Sequence, residues 1–168
     1  VQKGEILIDG ININDINLRD LRRNISVVLQ DVFLFSGSIK ENITLHSPIS
    51  DEEVQRALEL SCADTFINEL PNKMDEPVTE RGSTFSAGQR QLLAFARTIA
   101  HDPSIFVLDE ATANIDTKTE KLIQKSIKNV SANRTTLIIA HRLSTIRDAD
   151  IIFIIRKGRI VESGNHDT

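Results

Sequence analysis

Hydrophobic positions change period several times along this chain, and each change predicts an element. Residues 5–8 and 11–13 alternate apolar and polar side chains about Asp9-Gly10, the pattern of a half-exposed antiparallel hairpin. Residues 18–23 read as a short helix. The β-branched run over 25–29 reads as a buried strand that ends at Gln30. From Ser50 the period becomes helical: Ser50 and Glu53 make a capping-box pair, and Val54, Ala57, Leu58 and Ser61 follow at helical spacing toward Phe66 and Leu70. Pro71 and Pro77 bracket a loop. A second long helix is predicted from about Ser86, with Leu92, Leu93, Ala96, Ile99 and Ala100 on one face and a stop before Pro103.

Beyond that proline the order becomes strand, helix, strand, helix. The run 105–108 leads into Asp109-Glu110, and Thr117 with Glu120 is expected to cap a helix carrying Leu122, Ile123 and Ile127. A strand over 136–140 leads to His141, a short helix covers 144–147, and residues 151–155 pair with 159–162 through a Lys157-Gly158 turn. Continuous apolar strands alternating with helices argue for a parallel sheet covered on both faces, so the class is α/β. The helices between 50 and 70 interrupt this rhythm and are expected to form a lobe to one side. No repeat, low-complexity stretch or Pro/Gly/Ser linker divides the chain, which reads as one domain.

Composition narrows the functions that this frame could serve. With 168 residues, 40% hydrophobic and 26% charged, the chain can bury one core. A net charge of −4, with lysines and arginines scattered, gives no electrostatic footprint for nucleic acid. The longest purely apolar run, 151–155, is far short of the roughly 20 residues a membrane-spanning helix needs. Cys62 stands alone, which excludes an intrachain disulfide or a cysteine-based zinc site and fits a reducing, cytosolic setting. Val1 opens the sequence and Met74 is the only methionine, so the chain is expected to be a piece of something longer.

In parallel sheets ligands bind at the carboxyl ends of the strands, so polar residues just beyond apolar runs are the candidates. Gln30, Asp109-Glu110 and His141 all qualify. Each alone also has an ordinary reading: a surface amide, a strand terminus that caps the next turn, a structural histidine. The segment Phe85-Ser86-Ala87-Gly88-Gln89 is more pointed. Small residues at a helix start expose backbone N–H groups at the positive end of the helix dipole, which suits a phosphate. An ordinary serine N-cap with a turn glycine is the alternative.

With its surroundings, that pentapeptide resembles the signature of ATP-binding cassette (ABC) transporter ATPases, usually written LSGGQ, and residues 3–167 resemble that ATPase domain downstream of its first helix. The order matches: Gln30 at the Q-loop, residues 79–82 at the loop before the signature of exporters, 105–110 at Walker B, 113–116 at the D-loop and His141 at the switch position. The resemblance implies a P-loop NTPase-like parallel sheet core with an antiparallel β subdomain and a helical signature subdomain over about 36–90, lacking the Walker A strand-loop-helix. The chain, 1–168, would then be a partial nucleotide-binding domain of an exporter whose ATP hydrolysis drives transport.

The same resemblance implies cofactors, partners and roles. ATP and Mg2+ are the cofactors. Two cassettes pair head to tail, so Ser86, Gly88 and Gln89 would contact the γ-phosphate of a nucleotide held mainly by the partner, with Phe85 and Ala87 counted among the ATP-binding positions of the same motif. Asp109 and Gln30 would serve magnesium and its waters, Glu110 would be the general base, His141 would steady the γ-phosphate, and Asp116 would signal across the dimer. Gln30 and the following loop, with Phe33 and Phe35, would face transmembrane domains, which puts the assembly at the cytoplasmic face of a membrane. Cargo is not legible in these residues.

The chain departs from the family pattern in places. No G-x-x-x-x-G-K-[ST] is present and there is no tyrosine to stack on adenine, so the chain by itself is expected to be inactive. Without the first strand and helix the sheet is expected to bare an apolar face. Ala87 stands where glycine is usual, which matters only if that position needs positive φ. The D-loop reads Ala-Asn-Ile-Asp. A DNA-repair ATPase of the same superfamily would carry coiled-coil heptads, which are missing. A non-catalytic cassette that pairs with an intact partner is the alternative reading.

Overall fold

Capping signals, rather than helix propensity, set most of the element boundaries in the computed structural model, which describes residues 4–79, 82–109, 115–140 and 143–166. The chain opens with the expected antiparallel pair, β1 (Leu7–Ile8) and β2 (Ile11–Asn12), joined through Asp9-Gly10. Helix α1 (Leu18–Asn24) starts where the Asn17 side chain accepts from the Arg19 amide at 2.9 Å. It runs straight into β3 (Ile25–Val28), which stops one residue short of the predicted Leu29.

Between β3 and the next long strand lies a mainly helical stretch. A short antiparallel pair, β4 (Gly37–Ser38) and β5 (Pro77–Val78), closes it at the base. Inside are α2 (Ile39–Thr44), α3 (Asp51–Leu60), α4 (Asp64–Ile67) and a 3-10 turn at Lys73–Asp75. Ser38 with Glu41 and Ser50 with Glu53 form complete capping boxes at α2 and α3. The predicted helical stretch over 50–70 is two helices, because Cys62 adopts a left-handed φ of 60° and turns the chain between them. Helix α2 was not predicted: it is six residues long and ends at once on Leu45, also left-handed.

Helix α5 (Ala87–His101) starts at Ser86 and is stopped by left-handed Asp102 ahead of Pro103. Strand β6 (Ile105–Asp109), helix α6 (Thr117–Ser131) and strand β7 (Thr135–Ile139) follow. The cap of α6 is Asp116, one residue ahead of the predicted Thr117: its Oδ1 accepts from the Lys118 amide at 3.1 Å and the Thr119 amide at 3.0 Å. A carboxylate on two first-turn amides satisfies two orphan donors and complements the helix dipole, which a Thr117 hydroxyl does less well. The chain ends with α7 (Leu143–Ile146) and the predicted hairpin of β8 (Ile152–Arg156) and β9 (Arg159–Gly164).

Strands β3, β6 and β7 form a parallel sheet in that spatial order. One face is packed: Val28, Phe106 and Leu108 are buried in a cluster with Leu92, Phe95 and Ile123 of α5 and α6. Phe95 and Phe106 meet edge to face at 6.3 Å between ring centroids. On the other face Val27, Leu137 and Ile139 are more than half exposed. The continuous apolar strands had implied cover on both faces; among the described residues only one is covered, and the other is the bare apolar face also expected. No described helix is long and apolar enough to cross a membrane.

This packing predicts a sharp asymmetry between the two faces. Phe106→Ala, fully buried, should cost about 3–5 kcal/mol of unfolding free energy. Leu137→Ser on the bare face should change it by about 0.5 kcal/mol or less. Urea unfolding of the two variants measures both.

Candidate functional site

The register of the parallel sheet brings two predicted site residues, Asp109 and Gln30, to one edge. Val28 pairs with Leu108, Leu108 with Ile138, and Asp109 with Ile139, so the three strands end level with one another. Asp109, half-buried, is the last residue of β6, and exposed Gln30 lies two residues beyond β3 at that edge. Glu110 and His141 lie outside the described residues, as do positions 80–81 and 111–114.

Helix α5 turns at Asp102 into β6 and therefore runs antiparallel to it, which carries its first turn back toward the same edge. Helix α6 follows β6 in the chain, after residues 110–116. The two first turns touch. A Cβ added at Gly88 would fall inside van der Waals contact with Thr119 Cγ2 and 3.3 Å from Ile115 Cγ2. Gly88 is buried here, so its lack of a side chain is what lets α5 seat against α6.

The start of α5 is a closed capping box. Ser86 Oγ accepts from the Gln89 amide at 3.2 Å, and Gln89 Oε1 accepts from the Ser86 amide at 2.9 Å. Ser86 and Ala87 are exposed, and the first-turn amides of Ala87 and Gly88 have no intrahelical acceptor, as at any helix start. Ala87 adopts ordinary helical geometry without positive φ, so alanine in place of glycine introduces no backbone strain. Phe85 has its side chain buried against Phe66 at 5.9 Å, while its carbonyl accepts from Arg90 Nη1 at 2.6 Å. It anchors the cradle from beneath.

Two further features, the seating of Leu34 beneath Gly82 and the hold of Asn42 on Phe35, were not visible in the sequence. The loop from β3 to α2 exposes Phe33 and Phe35 as an edge-to-face pair at 5.0 Å, while Leu34 between them is fully buried. Leu34 packs beneath Gly82, whose φ is 61° and whose added Cβ would meet Leu34 Cδ1 at 2.6 Å. The loop after Gln30 and the loop before Ser86 are thus locked together, and only glycine fits at the lock. The second feature is Asn42, buried in α2, which holds the backbone of Phe35 from both ends of its amide.

Among the described residues no group of three or more His, Cys, Asp or Glu side chains forms a metal cage. One strand-end carboxylate, Asp109, with an amide at Gln30 suits Mg2+, which keeps several waters and takes few protein ligands beside phosphate.

Comparison with known proteins decides the family. The family profile described as ABC transporter matches residues 1–113. The chain belongs to the ABC transporter family. It is 55% identical over 165 residues to the uncharacterized ABC transporter ATP-binding protein YknV of Bacillus subtilis, covering 98% of this chain and 27% of that protein. It is 48% identical over 168 residues to the ATP-dependent lipid A-core flippase of Albidiferax ferrireducens, covering 99% of this chain and 29% of the flippase. The solved structure of a bacterial Atm1-family ABC exporter with ATP bound superposes with a TM-score of 0.89 at 41% identity, over 98% of this chain and 29% of the exporter. The cassette sequence described here therefore spans between a quarter and a third of the length of these relatives.

Electrostatics at the α6 cap of this ABC cassette gives a pH prediction. The Asp116 carboxyl is held below its ordinary value, chiefly by the hydrogen bond from the Thr119 amide. Glu41 and Glu53 are lowered in the same way by the amides of Ser38 and Ser50. A carboxylate whose folded pKa is depressed stabilises the fold fully above its ordinary pKa, and that contribution is lost as pH falls through the depressed value. The thermal midpoint should therefore decline as pH drops below about 4. Asp116→Asn keeps an amide oxygen for the cap but cannot titrate, so thermal melts between pH 3 and 6 should show a shallower acid decline for that variant.

Proposed function

We propose that this chain is part of the ATP-hydrolysing nucleotide-binding domain of an ABC exporter, coupling ATP binding and hydrolysis to transport across a membrane from its cytoplasmic face. The observation that carries the reading is the direction of the elements: β3 and β6 end level beside Gln30 and Asp109, and the first turns of α5 and α6 pack on each other at Gly88 and Thr119. The likeness to an ATP-bound exporter supports it. Residues 36–90 would form the helical subdomain with the signature, and the remainder the α/β core.

The roles follow from chemistry at that edge. Ala87 and Gly88 offer first-turn amides, and Ser86 its hydroxyl proton, at the positive helix end to the γ-phosphate of a nucleotide held mainly by a partner cassette. Phe85 and Gln89 fix that turn. Asp109 and Gln30 bind magnesium directly or through water. Glu110 accepts the proton of the attacking water, His141 steadies the γ-phosphate, and Asp116 carries the state of one site to the other across a head-to-tail dimer. When bound, ATP supplies the phosphoryl group and Mg2+ neutralises its charge. The transmembrane domains dock at the loop after Gln30. The 168 residues contain no G-x-x-x-x-G-K-[ST], so this chain by itself is inactive.

The test is Mg2+-dependent ATPase activity of the complete natural protein in lipid, beside Glu110→Gln. Loss of the base should lower kcat by about 10²–10⁴-fold. Turnover indifferent to this substitution would contradict the reading.

A further inference from the structure

Arg97 interrupts the apolar run of α5, between buried Ala96 and Thr98. Its Nε donates to the Asn42 carbonyl at 2.7 Å, and Nη2 lies 3.5 Å from both the Phe33 carbonyl and Asn42 Oδ1. The guanidinium carbon stands 6.0 Å from the Phe35 ring centroid. Among the described residues no carboxylate lies within ion-pairing distance of it. Burial lowers the Arg97 pKa from its ordinary value, as expected for a cation whose water has been replaced by dipoles. A desolvated cation with no anion is costly unless its donors are well used, and here they are directed at backbone carbonyls of a loop and of α2.

Asn42 completes the arrangement. It is 2% exposed. Its Oδ1 accepts from the Phe35 amide at 2.8 Å, and its Nδ2 donates to the Phe35 carbonyl at 2.8 Å and the Ser38 carbonyl at 3.0 Å. One side chain thus pins both polar groups of Phe35, and Arg97 pins the backbone of Asn42 and Phe33 to α5. His101 adds a tether at the far end of α5, its Nε2 lying 3.1 Å from the Ile43 carbonyl.

We propose that Arg97 is a positioning residue that fastens the loop 31–37, and with it Gln30, to the helix whose first turn is the anion cradle. The catalytic consequence rests on the ATPase reading above. Arg97 sits about 15 Å along α5 from Ala87, so it acts on the site only through the loop it holds. A lysine reaches one carbonyl with a point charge, whereas the planar guanidinium reaches two chain segments at once, so Arg97→Lys should restore the fastening in part.

The experiment uses the complete natural protein carrying Arg97→Met or Arg97→Lys, with two readouts. Hydrogen exchange of peptides spanning 31–44 should quicken about tenfold or more in Arg97→Met while those of β6 stay unchanged, and Arg97→Lys should lie between. In the ATPase assay kcat should fall about tenfold in Arg97→Met with KM for Mg-ATP within about twofold, again partly restored by lysine. Unchanged exchange in the loop would overturn the proposal. So would local loosening with unchanged kcat, or loosening spread through α5 and β6 with KM rising alongside, which marks general loss of packing. A natural protein with no ATPase activity would refute the functional reading instead, leaving the exchange data to decide the fastening.

Discussion

The edge-to-face contact of Phe95 and Phe106, both fully buried, fixes where α5 lies on the sheet, and most other placements follow from it. Helix α5 packs against β3, α2, α3 and α6, so the helical stretch and the parallel strands share one core rather than two. Because α5 leads into β6 through a tight left-handed stop at Asp102, its direction is set antiparallel to the strand. Its first turn must then point toward the end of the sheet where the strands finish, so packing alone sets the direction of a helix start with free amides.

The same packing sets the electrostatics of that edge. Two helix N-termini, those of α5 and α6, converge where Gly88 meets Thr119. Each is capped by its own side chain, Ser86 with Gln89 for α5 and Asp116 for α6. The caps consume the third amide of α5 and the second and third of α6, and leave the opening amides of α5 facing out. Positive helix ends suit anionic oxygens and a strand-terminal carboxylate suits a divalent cation, and in the proposed head-to-tail pair one nucleotide would receive them from different cassettes.

Much of this was legible in the sequence because it is written in local signals. The capping pair at Ser50 and Glu53, the Pro103 stop, the apolar runs before Asp109 and His141 and the Lys157-Gly158 turn each predict one boundary, and the described elements follow them within a residue or two. What was not legible depends on contacts distant in sequence. Helix α2 is too short to show a period, although Ser38 and Glu41 carry the same capping signal as Ser50 and Glu53. Asp116 takes the α6 cap because a carboxylate reaches two amides. Arg97, a charge inside an apolar helical face, was the available sign of the loop fastening, but only the fold reveals its partners 55 positions away. Gly82 is needed because Leu34 passes beneath it. At the site, Gln30, Asp109 and the start of α5 were singled out by motif order, as were Glu110 and His141, which lie outside the described residues.

The seating of the cradle on α6 is most directly tested by a double-mutant cycle at Gly88 and Thr119. In an unconstrained helix, replacing glycine by alanine stabilises by roughly 0.5–1 kcal/mol. Here Gly88→Ala should instead destabilise by about 1–3 kcal/mol, because its methyl would collide with Thr119 Cγ2. Thr119→Ser, which removes that methyl, should recover much of the loss, with a coupling energy of about 0.5 kcal/mol or more by urea unfolding. If Gly88→Ala stabilises the protein, or its effect is the same with serine at 119, the first turn of α5 is not seated on α6 and the geometry of the cradle must have another origin.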